Sequence, residues 1–331
     1  MAVIQTTASN YPAGFNNVTI RGVPLTQTHP GQVFWVSNAS TVLPGQIGGS
    51  DGNPGTFGAP FSTLDYAIGR CTANRGDIIF IKPGHAETIT SATTIALDVA
   101  GVAVVGLGFG TKRPTFTYTT ANTATLGITA DNCAIINCKF VGNFLSIASA
   151  ITVGAAANCT IQDCDFSDTS VILNFLSAVT TTVTVNADNL SLIRNKVRIT
   201  GTTVTTAAFV ILGTMDGLYV VENYVSNTID RANQCVFLSH AALVMTNAFI
   251  SKNTLYCVNS TNTSVGMFIG TTATTGSGMV IENYIRGLDI AGAILFGTSA
   301  TAVQYGYFEN LYIGDGTALS GFVLPAIGSD A

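Results

Sequence analysis

The chain has 331 residues, 9% of them charged and 47% hydrophobic, with 34 glycines and a formal net charge of −5. So few charges and so many glycines weigh against a helical bundle and favour short strands joined by tight corners. With 13 Lys plus Arg and no basic block, no nucleic-acid partner is expected, and no apolar stretch reaches the roughly 18 residues of a membrane span.

Residues 1–30 are polar, punctuated by proline and without helical period, and read as an arm that orders on contact with a larger particle. The opening MAVIQTTASNYPAGF has neither a basic n-region nor a continuous apolar h-region. No signal peptide is therefore expected, and the seven cysteines should be reduced thiols in a protein that matures in a cytoplasm. Residues 31–75 form a second unit. GQVFWVS predicts a strand carrying the single tryptophan, Trp35, and GGSDGNPGTFGAPF predicts a loop. STLDYAIGRCTA predicts a short helix, with Ser62 as N-cap, Asp65 as its capping-box partner, and Leu64, Ala67, Ile68 and Cys71 on its apolar face. Such a helix would cover the open end of whatever sheet follows.

From residue 76 to 331 strands dominate. GDIIFIKPG predicts one, and VAVVGLGFGTKRP another that runs into Gly106, Gly108 and Gly110. A dinucleotide loop would need a third glycine where Thr111 stands, and a helix after it. Pro114 and the β-branched and aromatic TFTYTT continue as strand instead, so these glycines turn corners and no cofactor is expected.

A short pattern then recurs: AIINCKF, TIQDCDF, SLIRNKV, YVVENYV, FISKNTL, MVIENYI and GYFENLY. Its Asn or Asp falls at Asn137, Asp163, Asn195, Asn223, Asn253, Asn283 and Asn310, at spacings of 26, 32, 28, 30, 30 and 27. With Ile79 and Val104 added before Ile135, the pattern predicts about nine passes, each burying its apolar face only against its neighbours. The residues before the ladder positions, among them Arg194, Glu222, Lys252 and Glu282, alternate in sign and predict an outer ion-pair ladder. Cys133 and Cys159, like Cys138 and Cys164, are 26 apart and predict stacked buried thiols. Their C-x₄-C intervals with no nearby histidine do not make a zinc site.

The best local cluster for acid–base chemistry is QDCDFSD, with Asp163, Asp165 and Asp168. Asp163 is also a ladder residue, and the other acids lie among corners, where Asp is a routine turn former. Tyr219, Tyr224, Tyr256, Tyr284, Tyr305, Tyr307 and Tyr312 concentrate late in the chain, where an outer aromatic face would serve glycan binding or subunit packing.

The ladder resembles the right-handed, single-stranded parallel β-helix of the pectin-lyase-like superfamily over roughly residues 75 to 315. The resemblance implies an all-β fold of about nine coils with a short N-terminal capping helix, and corners where Asn takes a left-handed backbone. The string GGSDGNPGTFGAPFSTLDYAIGRCTANRGDIIFIKPGHAETI resembles the start of β-helical proteins of tailed bacteriophages, in tail spikes and head-associated structural proteins. That likeness implies a virion protein that assembles as a homotrimer. The few charges, the lack of a convincing acid cluster and the rod-shaped core add the expectation of a non-catalytic capsid decoration or head spike, with residues 1–30 gripping the major capsid protein or another virion protein. Two other readings stay open: a tail-spike depolymerase cutting bacterial surface polysaccharide, and a non-catalytic module that binds bacterial surface glycan.

Overall fold

The computed structural model describes residues 31–313 apart from 40–41, 43–44, 183–185, 201–206, 228–234, 242–243, 258–263, 270–275, 288–289 and 297–302. It also describes the short strands Thr19–Ile20, Val23–Pro24, Gly321–Phe322 and Ala326–Ile327. The remainder of the arm expected over residues 1–30 lies outside the described residues.

The chain is an all-β parallel solenoid with almost no helix. Three sheets run its length, and from Ile78–Ile81 to Phe209–Leu212 each successive strand goes to the next sheet. The first contains Val33–Val36, Ile78–Ile81, Ala103–Gly106, Ala134–Ile136, Thr160–Gln162 and onward to Val303–Phe308. The second begins at Ala86–Ile89 and passes through Lys139–Gly142, Asp165–Asp168 and Lys196–Ile199. The third begins at Ile95–Leu97 and passes through Leu126–Ile128 and Ile151–Val153.

Strand alternation explains which side chains line the core. In the first sheet the buried column runs Ile79, Val104, Ile135, Ile161, Leu192, Val220, Ile250 and Val280. In the second it begins with Phe116, Phe140 and Phe166, whose rings stack at 5.6 and 5.0 Å, and continues as Val197, Val225, Leu255 and Ile285. Ile95, Leu97, Leu126, Ile128, Ile151 and Val153 close the third side.

The register corrects the ladder read from the sequence. Gln162 pairs with Ile193, so the residue beside Asp163 in the next turn is Arg194, 31 positions on, and Asn195 stands beside Cys164. The recurring Asn or Asp belongs to two adjacent columns. The corner column is Asn137, Asp163, Arg194, Glu222, Lys252, Glu282 and Glu309, all with φ between 49° and 60°. The inward column beside it is Cys138, Cys164, Asn195, Asn223, Asn253, Asn283 and Asn310, all buried. Of the expected ladder, only Asn137 and Asp163 bend the chain. The strand column obeys the same register, with Leu192 following Ile161 and Ile250 following Val220.

Gly106 and Gly108 serve the corner before Asn137. A Cβ on Gly106 would sit 2.3 Å from the Asn137 carbonyl oxygen, and Gly108 has φ +99°. The Asn137 side chain donates to both of their carbonyls, at 2.8 and 3.1 Å.

At the N-terminal end the helix is Leu64–Ile68, and it buries Leu64, Ala67 and Ile68. The expected capping box is not formed. Thr63 rather than Ser62 occupies the N-cap, without a side-chain cap bond. Acids from elsewhere satisfy the helix start: Asp51 accepts the Ser62 and Thr63 amides at 2.9 and 3.1 Å, and Glu87 accepts the Leu64 amide at 3.0 Å. Asp65 accepts the amide of Ala96 instead.

Two further knots bind this unit to the sheets. His85 accepts the Asn38 amide through Nδ1 at 3.1 Å and faces Glu87 through Nε2 at 3.0 Å. Buried Asp77 takes the Gln32 and Thr72 amides and both arms of Arg75, all at 2.7 Å. Burial pushes the Asp77 carboxyl up, but these donors outweigh it and keep it below the usual carboxylate range.

Candidate functional site

The three candidate carboxylates lie at the edge and on the outer side of the second sheet. Alternation buries Phe140, Phe166 and Val197 and turns Lys139, Asp165 and Lys196 outward as one row. Arg198 stands two residues along from Lys196 in the same strand, and the corner residues Asp163 and Arg194 flank the row. Together with Arg113, Gly110 and Thr111 they line a groove of about 510 Å³.

Each carboxylate is committed. Arg194 donates to both oxygens of Asp163 at 2.8 and 3.0 Å, and Gln162 adds a third bond at 2.9 Å. The Arg194 guanidinium, acting against partial burial, holds the Asp163 carboxyl below the usual range. Arg198 donates to both oxygens of Asp165 at 3.0 and 3.1 Å. Asp168 takes the amides of Phe175 and Thr200, at 2.9 and 2.8 Å, and so ties two loops to the strand. Asp163 and Asp165 therefore share one groove, while Asp168 is a backbone fastener.

A general acid needs a carboxyl that keeps its proton near neutral pH, through burial or a like charge nearby. Asp163 is driven the opposite way. The groove is instead an assembly of cations around two neutralised acids.

Other expected features are rearranged. Arg194 pairs with Asp163 of the preceding turn rather than with Glu222, which acts on it only at longer range. Lys252 and Glu282 do pair, at 3.6 Å. Cys133, Cys138, Cys159 and Cys164 are buried free thiols. The tyrosines do not share one face: Tyr219, Tyr305 and Tyr307 belong to the first sheet, and Tyr224, Tyr256, Tyr284 and Tyr312 to the second. Tyr219 stacks on Phe249 at 5.3 Å, Lys196 lies 5.7 Å from the Tyr224 ring, and Arg286 covers Tyr256 at 5.0 Å. The side chains of Tyr305, Tyr307 and Tyr312 lie outside the described residues.

Reading from the sequence missed the groove's cations. Their signal was present in NCKF, DCDF and RNKV, where Lys139, Asp165 and Lys196 each follow the inward residue. It goes unseen while the ladder is counted on the wrong residue.

Fold and site together define a parallel β-solenoid with a cation-lined groove on one sheet. No protein-family model matches the chain, and no curated protein matches it. Among solved structures it is similar to a pectin methylesterase in complex with a hexasaccharide, at 10% identity and TM-score 0.47, over 89% of this chain and 93% of that one. It is also similar to a rhamnogalacturonan lyase, at 12% and 0.35 over 81% and 73%, and to the GH136 lacto-N-biosidase of Eubacterium ramulus, at 11% and 0.35 over 85% and 67%. The first two are pectin-lyase-like β-helix proteins. All three TM-scores are below 0.5, and these neighbours lend the chain no activity.

Proposed function

We propose that this chain is a non-catalytic structural protein of a tailed-phage virion, decorating the capsid or forming a head spike. The observation that carries the non-catalytic part is the commitment of Asp163, Asp165 and Asp168 to guanidinium groups and backbone amides. The phage assignment rests on the likeness of the stretch GGSDGNPGTFGAPFSTLDYAIGRCTANRGDIIFIKPGHAETI to the start of phage β-helical proteins.

In this reading the solenoid is right-handed, has about nine coils, and is closed at its first turn by the Leu64–Ile68 helix. It assembles as a homotrimer on the virion, with residues 1–30 holding the major capsid protein or another virion protein. A continuous column of buried side chains suits a part that must persist outside a cell.

The test is the copy number of this protein in purified particles, measured against the major capsid protein. Hundreds of copies at a fixed ratio are expected. A few to a few dozen would move it to the tail, and absence from particles would end the structural reading.

A further inference from the structure

We propose that the groove on the second sheet is a binding site for a compact ligand carrying two or more oxyanion groups, whether phosphate, sulfate or carboxylate. The inference does not depend on the virion reading. It begins from an uneven distribution of charge. The whole chain carries −5, with only 13 Lys and Arg in 331 residues. Five of those cations, Arg113, Lys139, Arg194, Lys196 and Arg198, line this one groove of about 510 Å³. Among the described residues it contains two carboxylates, which leaves an excess of three positive charges.

Both carboxylates are already used, Asp163 by Arg194 and Asp165 by Arg198. Among the described residues, no carboxylate lies within ion-pair distance of Lys139, Lys196 or Arg113. The Nε of Arg113 is buried and has no hydrogen-bond partner. A buried, unsatisfied guanidinium nitrogen costs stability unless an acceptor reaches it.

Geometry sets the valency. Lys139 and Lys196 stand in register on either side of Asp165, so their backbones are two strand spacings, about 10 Å, apart. One small anion cannot neutralise both, whereas a ligand with two or three charged groups on a short frame spans them. Arg194 and Arg198 are taken by the two acids, and the Arg113 guanidinium offers a donor set that fits carboxylate and phosphate alike. The volume lies within the range of small-molecule sites. Clustered like charges also raise the local concentration of a counter-charged ligand.

The test is calorimetric titration of the full chain at low salt with inositol hexakisphosphate, with trigalacturonate and with uncharged inositol. Saturable binding of at least one polyanion, one per chain, is expected, and none of inositol. Hexakisphosphate alone would assign phosphate, trigalacturonate alone a sugar carboxylate, and both a site that reads charge. Lys139→Gln combined with Lys196→Gln should weaken binding by about tenfold or more with little change in the unfolding midpoint. Lys139→Gln alone should give a smaller loss in the same direction. Arg70→Gln, beyond the end of the helix and outside the groove, should keep affinity within about twofold. No heat from either polyanion, wild-type binding by the double variant, or an equal loss in Arg70→Gln would each overturn the proposal.

Discussion

The early and late turns of this solenoid solve the same corner with different chemistry. In the early turns the inward slot holds a thiol, Cys138 or Cys164, and the second-sheet core beside it is Phe116, Phe140 and Phe166. In the later turns the slot holds Asn195, Asn223, Asn253, Asn283 and Asn310, and the core column turns aliphatic.

The amides form a continuous ladder. Asn223 Oδ1 accepts the Asn195 backbone amide at 2.9 Å, while its Nδ2 donates to the Leu192 carbonyl at 2.8 Å and to Asn253 Oδ1 at 3.0 Å. Asn253 and Asn283 repeat this pattern toward Asn310. At the seam Asn195 Oδ1 accepts the amide of Cys164, so the ladder starts against the thiol stack.

The corner residue changes in step. Where the slot is a thiol, the left-handed position is Asn137 or Asp163, short polar residues that tolerate it and bond locally. Where the slot is Asn, that position is Arg194, Glu222, Lys252, Glu282 or Glu309, types that do not favour it. The lesson is that an amide ladder inside the corner satisfies its backbone, so the residue outside can be chosen for surface charge.

The largest break should come from Asn223→Ala. It strands the Asn195 amide and the Leu192 carbonyl in the core, and an expected loss of about 3 kcal/mol should appear in denaturant unfolding. Cys164→Ala, in the same slot of the early half, should cost only about 1 kcal/mol, because it removes packing and weak sulfur contacts. Equal losses would mean the two halves are not energetically distinct.

Glycine at the corner gives a sharper and smaller contrast. Glu222→Gly relieves a left-handed non-glycine, and a gain of about 0.5 kcal/mol is expected in the unfolding midpoint. Asn137→Gly relieves the same strain but deletes the bonds to Gly106 and Gly108, so a net loss of about 1 kcal/mol is expected. If both variants gained, the Asn137 side chain would have no structural role.

The smallest effect lies at the seam, where Arg194 reaches back to Asp163. The folded carboxyl is held below its unfolded value, so its contribution is full above about pH 4 and is lost as pH falls through the folded value. Arg194→Gln should flatten that acid limb of the stability curve by well under 1 kcal/mol, since both side chains are over a third exposed. An unchanged limb would show that the pair does not contribute.

Much of this is legible in the amino-acid sequence. Alternating apolar residues and a period of about 29 define stacked parallel strands, because each turn can bury its apolar face only on the next. The Cys pairs, 26 apart, already stood in true register. The Asn ladder was legible as a ladder, though not as one that lies inside the corner. Its first two members, Asn137 and Asp163, are the wrong column, because a polar residue fits either place and turn lengths vary.

The sequence by itself thus determined the solenoid, its core alternation and its run of stacked amides, since these follow from local periodicity. Only the tertiary structure decided which residue bends, which acid each arginine takes, and that Arg113, Lys139 and Lys196 converge on one groove. A shift of one residue in register exchanges inside for outside, and only the hydrogen bonds between turns fix that shift.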